Sequence, residues 1–216
     1  MTTPASTPSR RQRGSASTEL ALVEAAAQLF SEHGYQATSL DAIVAGAEVT
    51  KGALYHHFSG KQAIFEAAFA QLEHRASVGI SAAMDSHDDP WVQAQAGVRA
   101  FLSAVQEPAY RQVVVSDGPS VLGHERFREH EERSTYAVVD RIVRSVLAPG
   151  EWHLDEAMLD TLTRVFFGAM SAAGGSVAMS DDPAAAAARV EAAIDLVLTA
   201  LRRLLESGAE QPGPVG

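Results

Sequence analysis

Residues 40–65 read LDAIVAGAEVTKGALYHHFSGKQAIF: two short apolar segments parted by a break at Glu48 and Val49, then the start of a third. Leu40, Ile43, Val44 and Ala47 recur at the three-and-four spacing of a helix that buries one face, and Leu54 and Phe58 repeat it a few residues on. Thr38-Ser39 precedes the first segment and Thr50 the second, each able to accept a hydrogen bond from an otherwise unpaired N–H of the first turn. Asp41 stands where the helix dipole favours a carboxylate. Ser59-Gly60 closes the unit. Two short helices, Leu40–Ala47 and Thr50–His56, joined tightly and packed on a longer preceding one, predict a helix-turn-helix.

Upstream, Leu20, Val23, Ala27 and Phe30 keep the same spacing, so a helix is predicted from Ser17, capped by Ser17 or Thr18 and ended by Gly34 in the left-handed conformation. Residues 1–16 are rich in Ser, Thr, Pro and Arg and read as a flexible basic arm, too polar for the core of a signal peptide. Its Arg10, Arg11 and Arg13 either enter a minor groove or serve only to keep the segment solvated. Downstream, Ile64, Phe65, Ala68, Phe69 and Leu72 give a Lys61–Met84 helix its buried face. Helical spacing resumes over Trp91–Gln106, Ala109–Val115, Ser120–Leu147, Leu154–Met179 and Pro183–Ser207. Asp89-Pro90 and Asp182-Pro183 are cap-plus-proline starts, and Asp117-Gly118-Pro119 and Ala148-Pro149-Gly150 are breaks. No segment alternates with period two for long enough to build a strand. The predicted fold is all-α: the arm over 1–16, an N-terminal three-helix DNA-binding unit with its helix-turn-helix over 17–60, a larger helical bundle for ligand binding and dimerisation over 61–207, and a frayed tail over 208–216.

Composition narrows the function classes. The 216 residues are 46% hydrophobic and 20% charged, ordinary for a folded protein. The absence of cysteine excludes disulfides, thiolate metal sites and cysteine nucleophiles, and with no apolar run of bilayer length the expected location is cytoplasmic, away from membranes. The net charge of −10 is unevenly spread: up to Phe65 five basic residues balance five acidic ones, so the whole excess lies in the remainder. A neutral head with clustered cations can meet phosphates while an acidic body discourages indiscriminate adhesion to DNA.

In a helix-turn-helix the start of the second short helix faces the bases, which places Thr50, Lys51, Gly52 and Ala53 there, with Tyr55, His56 and His57 one turn on. The Thr50 hydroxyl and the free N–H groups beside it can hold a phosphate, Lys51 can reach a guanine edge or a phosphate, and Gly52 and Ala53 let the backbone come close. Leu54 and Phe58 read as core, whereas the Tyr55 ring can be half-buried while its hydroxyl meets a phosphate. Lys61 stands at the next helix start, placed to clamp the strand.

The run Ile43 to Phe65, with Ala26, Leu29, Phe30, Gly34, Tyr35 and Thr38-Ser39 before it, resembles the DNA-binding signature of the TetR family of regulators over residues 18–66. The resemblance implies a homodimer on a palindromic operator, with DNA contacts at Ser39, Thr50, Lys51, Gly52, Tyr55, His56, His57 and Lys61. It also implies a C-terminal domain that takes a small molecule and thereby shifts the dimer off DNA, which favours repression. Glu48 departs from the pattern, standing where the family usually has Gly. A left-handed conformation there would strain a non-Gly residue by about 1 kcal/mol, and the carboxylate would repel phosphate unless it reads a cytosine amino group.

In the bundle, Trp91, Phe101, Tyr110, Phe127, Phe166, Phe167 and Met170 are the bulky groups available to line a ligand pocket, with Asp117, His124 and Arg128 as polar anchors. The Ala-rich, aromatic-poor composition points to an apolar organic ligand. Leu159, Leu162, Val165, Ala169 and Ala173, and Ile194, Val197, Leu198 and Leu201, form stripes wide enough to be buried on more than one side, a candidate dimer interface. No metal or cofactor is expected: His56 and His57 diverge by about 100° on a helix, and His124 and His130 are six residues apart. The rival readings are a DNA-binding regulator without an effector and a helical enzyme; no convergent nucleophile or acid–base pair supports the enzyme. In the expected mechanism a bound ligand reorients the Lys61–Met84 helix and spoils the spacing of two recognition helices.

Overall fold

Ten α-helices and one π-helix follow one another along residues 10–148 and 154–207, the part of the chain that the computed structural model describes, and no strand occurs among these residues. They are α1 (Arg10–Ala37), α2 (Leu40–Gly46), α3 (Lys51–His57), α4 (Lys61–Asp85), α5 (Pro90–Ala104), the π-helix Tyr110–Asp117, α6 (Gly118–Leu122), α7 (His124–Arg133), α8 (Thr135–Leu147), α9 (Glu156–Ala178) and α10 (Pro183–Glu206). None of these is long and apolar enough to cross a membrane.

The first helix corrects the expected boundary of the arm. It begins at Arg10 rather than Ser17, because Arg and Gln are good helix formers and nothing before Gly14 breaks the turn. Thr18 is not a cap; its hydroxyl donates back to the Gly14 carbonyl at 3.0 Å, inside the helix. Residues 1–9 and the expected tail, 208–216, lie outside the described residues, as do the side chains of Arg10, Arg11 and Arg13. Gly34 ends the helix proper with φ 73° and ψ 169°, a positive-φ kink but with an extended ψ instead of the left-handed helical one. Buried Thr38 then ties the next turn to it, its hydroxyl lying 2.8 Å from the Gly34 carbonyl and 3.1 Å from that of Leu29.

Two further expectations change. Asp117-Gly118-Pro119 does not stop the chain's helical course: the segment Tyr110–Asp117 is wound as a π-helix and runs into α6, with Pro119 in that helix's first turn, where its missing N–H costs nothing. The stretch Ser120–Leu147 is not one helix but three pieces, broken at Gly123 (φ 77°) and at Ser134, whose hydroxyl lies 3.2 Å from the His130 carbonyl.

One apolar core runs from the head into the body without a seam. Leu22, Ala26 and Phe30 of α1, Ile43 of α2, Leu54 of α3 and Ile64, Phe65 and Phe69 of α4 are fully buried in it. The rings of Phe30, Tyr35 and Phe65 meet at its centre, Phe65 lying edge-on to the other two at 5.1 Å. A second cluster, built on Ala94, Val139, Val143, Val146, Leu147 and Leu159, joins α5, α8 and α9. α4 therefore belongs to both halves of the molecule. Its N-terminal turns complete the head, and Leu72, Glu73, Ile80 and Met84 face the body.

Candidate functional site

The turn between α2 and α3 sets the outer face of the head. Glu48 N–H donates to the Ala45 carbonyl and Val49 N–H to that of Val44, both at 3.2 Å, the paired bonds of a Schellman motif whose left-handed position is Glu48 itself, with φ 54°. Ser39 caps α2 by accepting from Ala42 N–H at 3.1 Å, and Thr50 caps α3 by accepting from Ala53 N–H at 3.2 Å. The Thr50 oxygen is thus a cap first, leaving its proton free to donate.

Leu54 and Phe58, both buried, hold α3 against the core, so that Lys51, Gly52, Tyr55 and His56 are left exposed beside Ser39, with Ala53 half-buried between them. Tyr55 is 60% exposed, more open than the half-buried ring that its sequence position suggests. Lys51 reaches across the turn to Asp41 at 2.6 Å; the hydrogen bond to that carboxylate raises the lysine's pKa, so its charge is secure. Both partners lie in water, where such a pair is weak and exchangeable for a phosphate. His57 and Lys61 are placed differently. His57 is turned inward, its Nδ1 3.6 Å from a carboxylate oxygen of Glu19 on α1. Lys61 Nζ donates to the Gln36 carbonyl at 3.2 Å and lies 4.4 Å from the centre of the Tyr35 ring. These two side chains brace the head from within.

Two cavities of the body divide the expected pocket residues. The larger, about 400 Å³, lies among α5, α8, α9 and α10 and is lined by apolar side chains alone, Phe166 among them. The smaller, about 200 Å³, is enclosed by Phe101, Tyr110, Phe127 and Phe167, and Met170 lines both. Trp91 lines neither, packing on the second apolar cluster instead. The three expected anchors are also elsewhere. His124 is exposed at the start of α7, and Arg128 pairs with Glu132 one turn on at 2.9 Å. Asp117 accepts the backbone N–H of Tyr35 at 2.8 Å, joining the body to the head. Position after a helix break had suggested a ligand anchor, but such breaks equally place a side chain at a domain junction.

The stripes read as a dimer face are likewise redistributed. Leu159 is buried in the second cluster, with Leu162 packed on it. Val165, Ala169, Ala173, Ile194, Val197, Leu198 and Leu201 border the larger cavity. Along α9 and α10 apolar groups are also left uncovered: Met158 and Val165, seven residues apart, and Leu196, Val197 and Leu204. Sequence reasoning missed Glu73 and Glu131, which line the smaller cavity. Glu73 falls four residues after Phe69, on the buried stripe of α4, and that misplaced acid was the available signal.

Comparison with known proteins agrees with this layout. Residues 22–68 match the model described as bacterial regulatory proteins, tetR family, and residues 91–201 match that of a Tetracyclin repressor-like C-terminal domain. The chain is 48% identical over 61 residues to the Transposon Tn10 TetC protein of Escherichia coli, a match covering 28% of this chain and 31% of that protein. It is 42% identical over 57 residues to the A-factor receptor protein of Streptomyces griseus, 26% of this chain and 21% of the other. With the transcriptional regulator SrpR of Pseudomonas putida the identity is 28% over 135 residues, 60% of this chain and 61% of SrpR. Among solved structures, a TetR-family regulator from Pectobacterium atrosepticum superposes with a TM-score of 0.75 at 27% identity, covering 90% of this chain and 97% of that one. The curated relatives are therefore matched over much less than their full length, whereas the solved structure is matched almost end to end. A helix-turn-helix head with an exposed recognition helix, continuous with a cavity-bearing bundle, and family matches across both parts have one meaning: the chain belongs to the TetR family of DNA-binding transcriptional regulators.

Proposed function

We propose that the protein is a repressor that binds an inverted-repeat operator as a homodimer and leaves it when a small organic ligand occupies the body. The observation that carries the DNA reading is the two-sided nature of α3: Leu54 and Phe58 anchor it, while Lys51, Gly52, Tyr55 and His56 face solvent together. With Ser39, Thr50 and Ala53 they form the surface that would lie in the major groove; His57 and Lys61 orient it. The match of residues 91–201 to a repressor-like C-terminal domain supports repression. The uncovered apolar groups of α9 and α10 support a second copy as partner, since helices with apolar residues seven apart bury them by pairing. Two recognition helices would then sit about 34 Å apart, one turn of duplex.

The cavities support an effector with a substantial apolar body. α4, about 37 Å long at 1.5 Å per residue, touches the smaller cavity at Glu73, midway along its length, and the head at Lys61, so a small tilt about that point displaces the recognition helix. Selection of random duplexes on the purified protein tests the reading. An inverted-repeat consensus is expected, lost on Lys51→Ala combined with Tyr55→Ala; enrichment of no sequence, or of one unaffected by that pair, would refute it.

A further inference from the structure

The smaller cavity is walled by the rings of Phe101, Tyr110, Phe127 and Phe167, yet two carboxylates open into it, Glu73 from α4 and Glu131 from α7. Glu73 is only 4% exposed. Other half-buried acids of the body are matched by cations: Glu66 pairs with Arg126 at 3.1 Å and His130 at 3.2 Å, and Asp140 with Arg144 at 2.9 Å. Among the described residues no lysine, arginine or histidine pairs with Glu73 or Glu131. What they have instead are hydroxyls: Ser134 beside Glu73, and Ser171, whose Oγ donates to Glu131 at 3.0 Å. Burial pushes Glu73 up to about 7, with the charge of Glu131 adding to the rise, and Glu131 is itself raised by burial. The Tyr110 hydroxyl is raised too, by burial and then by the two acids. Arg128 and His124 act on Glu131 only from a distance, and Glu73 has no such counter-charge; two buried acids without a paired cation in an aromatic chamber are costly for the empty protein and favourable for a positively charged guest.

We propose that this cavity binds a small arylalkylamine as its ammonium ion, the charged nitrogen held between Glu73 and Glu131 near the Tyr110 hydroxyl and the ring seated among Phe101, Phe127 and Phe167. The proposal rests on the reading of the body as an effector domain and adds to it the charge of the ligand. Size agrees: a cavity of about 150 Å³ takes one benzene, so about 200 Å³ takes a ring with a short tail. The surrounding faces add cation–π attraction. A metal ion is a poorer occupant, because the aromatic and aliphatic walls supply none of the oxygen ligands that a hard cation needs beside two carboxylates, nor a polar setting for the waters that would complete its shell, and no cluster of three metal-binding side chains occurs among the described residues.

Calorimetric titration of the full-length protein at about pH 8, where Glu73 is ionised, tests this with three probes of one shape: 2-phenylethylammonium, neutral n-propylbenzene and anionic 3-phenylpropionate. The amine is expected to bind at least about tenfold tighter than either of the others. Glu73→Gln should remove that advantage while leaving propylbenzene within about twofold, and Glu131→Gln should reduce it less. Equal or tighter binding of the neutral or anionic probe, an unchanged amine affinity in Glu73→Gln, or tighter binding of magnesium or calcium at the same site would overturn the proposal. Release from operator DNA is read separately. Amine binding without release would refute the effector reading alone, and release by neutral compounds that ignores Glu73→Gln would refute the charge assignment alone.

Discussion

The head and the body solve the packing problem differently. In the head, Phe30, Ile43, Leu54, Ile64 and Phe65 are wholly buried against one another, and α2 and α3 each start on a side-chain cap. In the body, the helices leave cavities, a buried acid without a cation and large apolar groups in water, Leu196 at 71% and Val165 at 60% exposed. A fully packed region holds one shape, which suits a surface that must fit a groove. A region with unspent volume and uncovered carbon has free energy left to gain from partners.

Substitutions can break or sharpen this contrast. Leu54→Ala should cost about 2–5 kcal/mol of stability by leaving a hole that the rigid head cannot close, while Val197→Ala, on an exposed wall, should change the stability of the isolated protomer by less than about 0.5 kcal/mol. Urea unfolding followed by circular dichroism measures both, and comparable losses would erase the distinction. Second in size is Glu73. Its folded pKa of about 7 lies above its ordinary value of 4.5, so the folded state holds the proton more tightly. Stability from this group is then full below about pH 4.5, falls as pH rises through about 7, and stays reduced above. Glu73→Gln should therefore stabilise the protein by roughly 1–3 kcal/mol at about pH 8 and have little effect at about pH 4.5. A thermal-unfolding pH series checks this; an equal effect at both pH values would contradict the burial argument.

Smaller effects probe the head's one strained point. Glu48→Gly should add about 1 kcal/mol, because a glycine adopts φ 54° freely, and should tighten operator binding by removing a carboxylate beside the duplex. Denaturant midpoints and operator titrations read the two effects independently. Smallest of all, Asp41→Asn should release Lys51 and change operator affinity a few-fold with a steeper salt dependence; an unaltered salt slope would show that the pair does not compete with phosphate.

The head was readable from its residues because its determinants are local. Spacing, caps and a turn position within twenty-five residues define it, and even the left-handed geometry at Glu48 follows from the place it occupies. What escaped notice there depends on distant partners: the inward turn of His57 toward Glu19 and of Lys61 toward Tyr35. The body was legible as helices and not as surfaces. An apolar stripe such as Leu162, Val165 and Ala169 specifies a face, but the same stripe can meet its own chain, an empty cleft or another copy, and these differ only in tertiary arrangement. The π-helix had no sequence mark either, since one surplus residue in a turn is decided by what the turn packs against.

The π winding has a mechanical consequence. The π-helix begins with Tyr110 on the wall of the smaller cavity and ends with Asp117, whose carboxylate grips the Tyr35 amide just after the Gly34 kink of α1. Rewinding such a segment to α-helical hydrogen bonds would turn each of its residues further about the axis and swing its end. The amide of Tyr35 would then lose its acceptor, at a cost of about 1–3 kcal/mol, so the hold of Asp117 on the head depends on the π winding being kept.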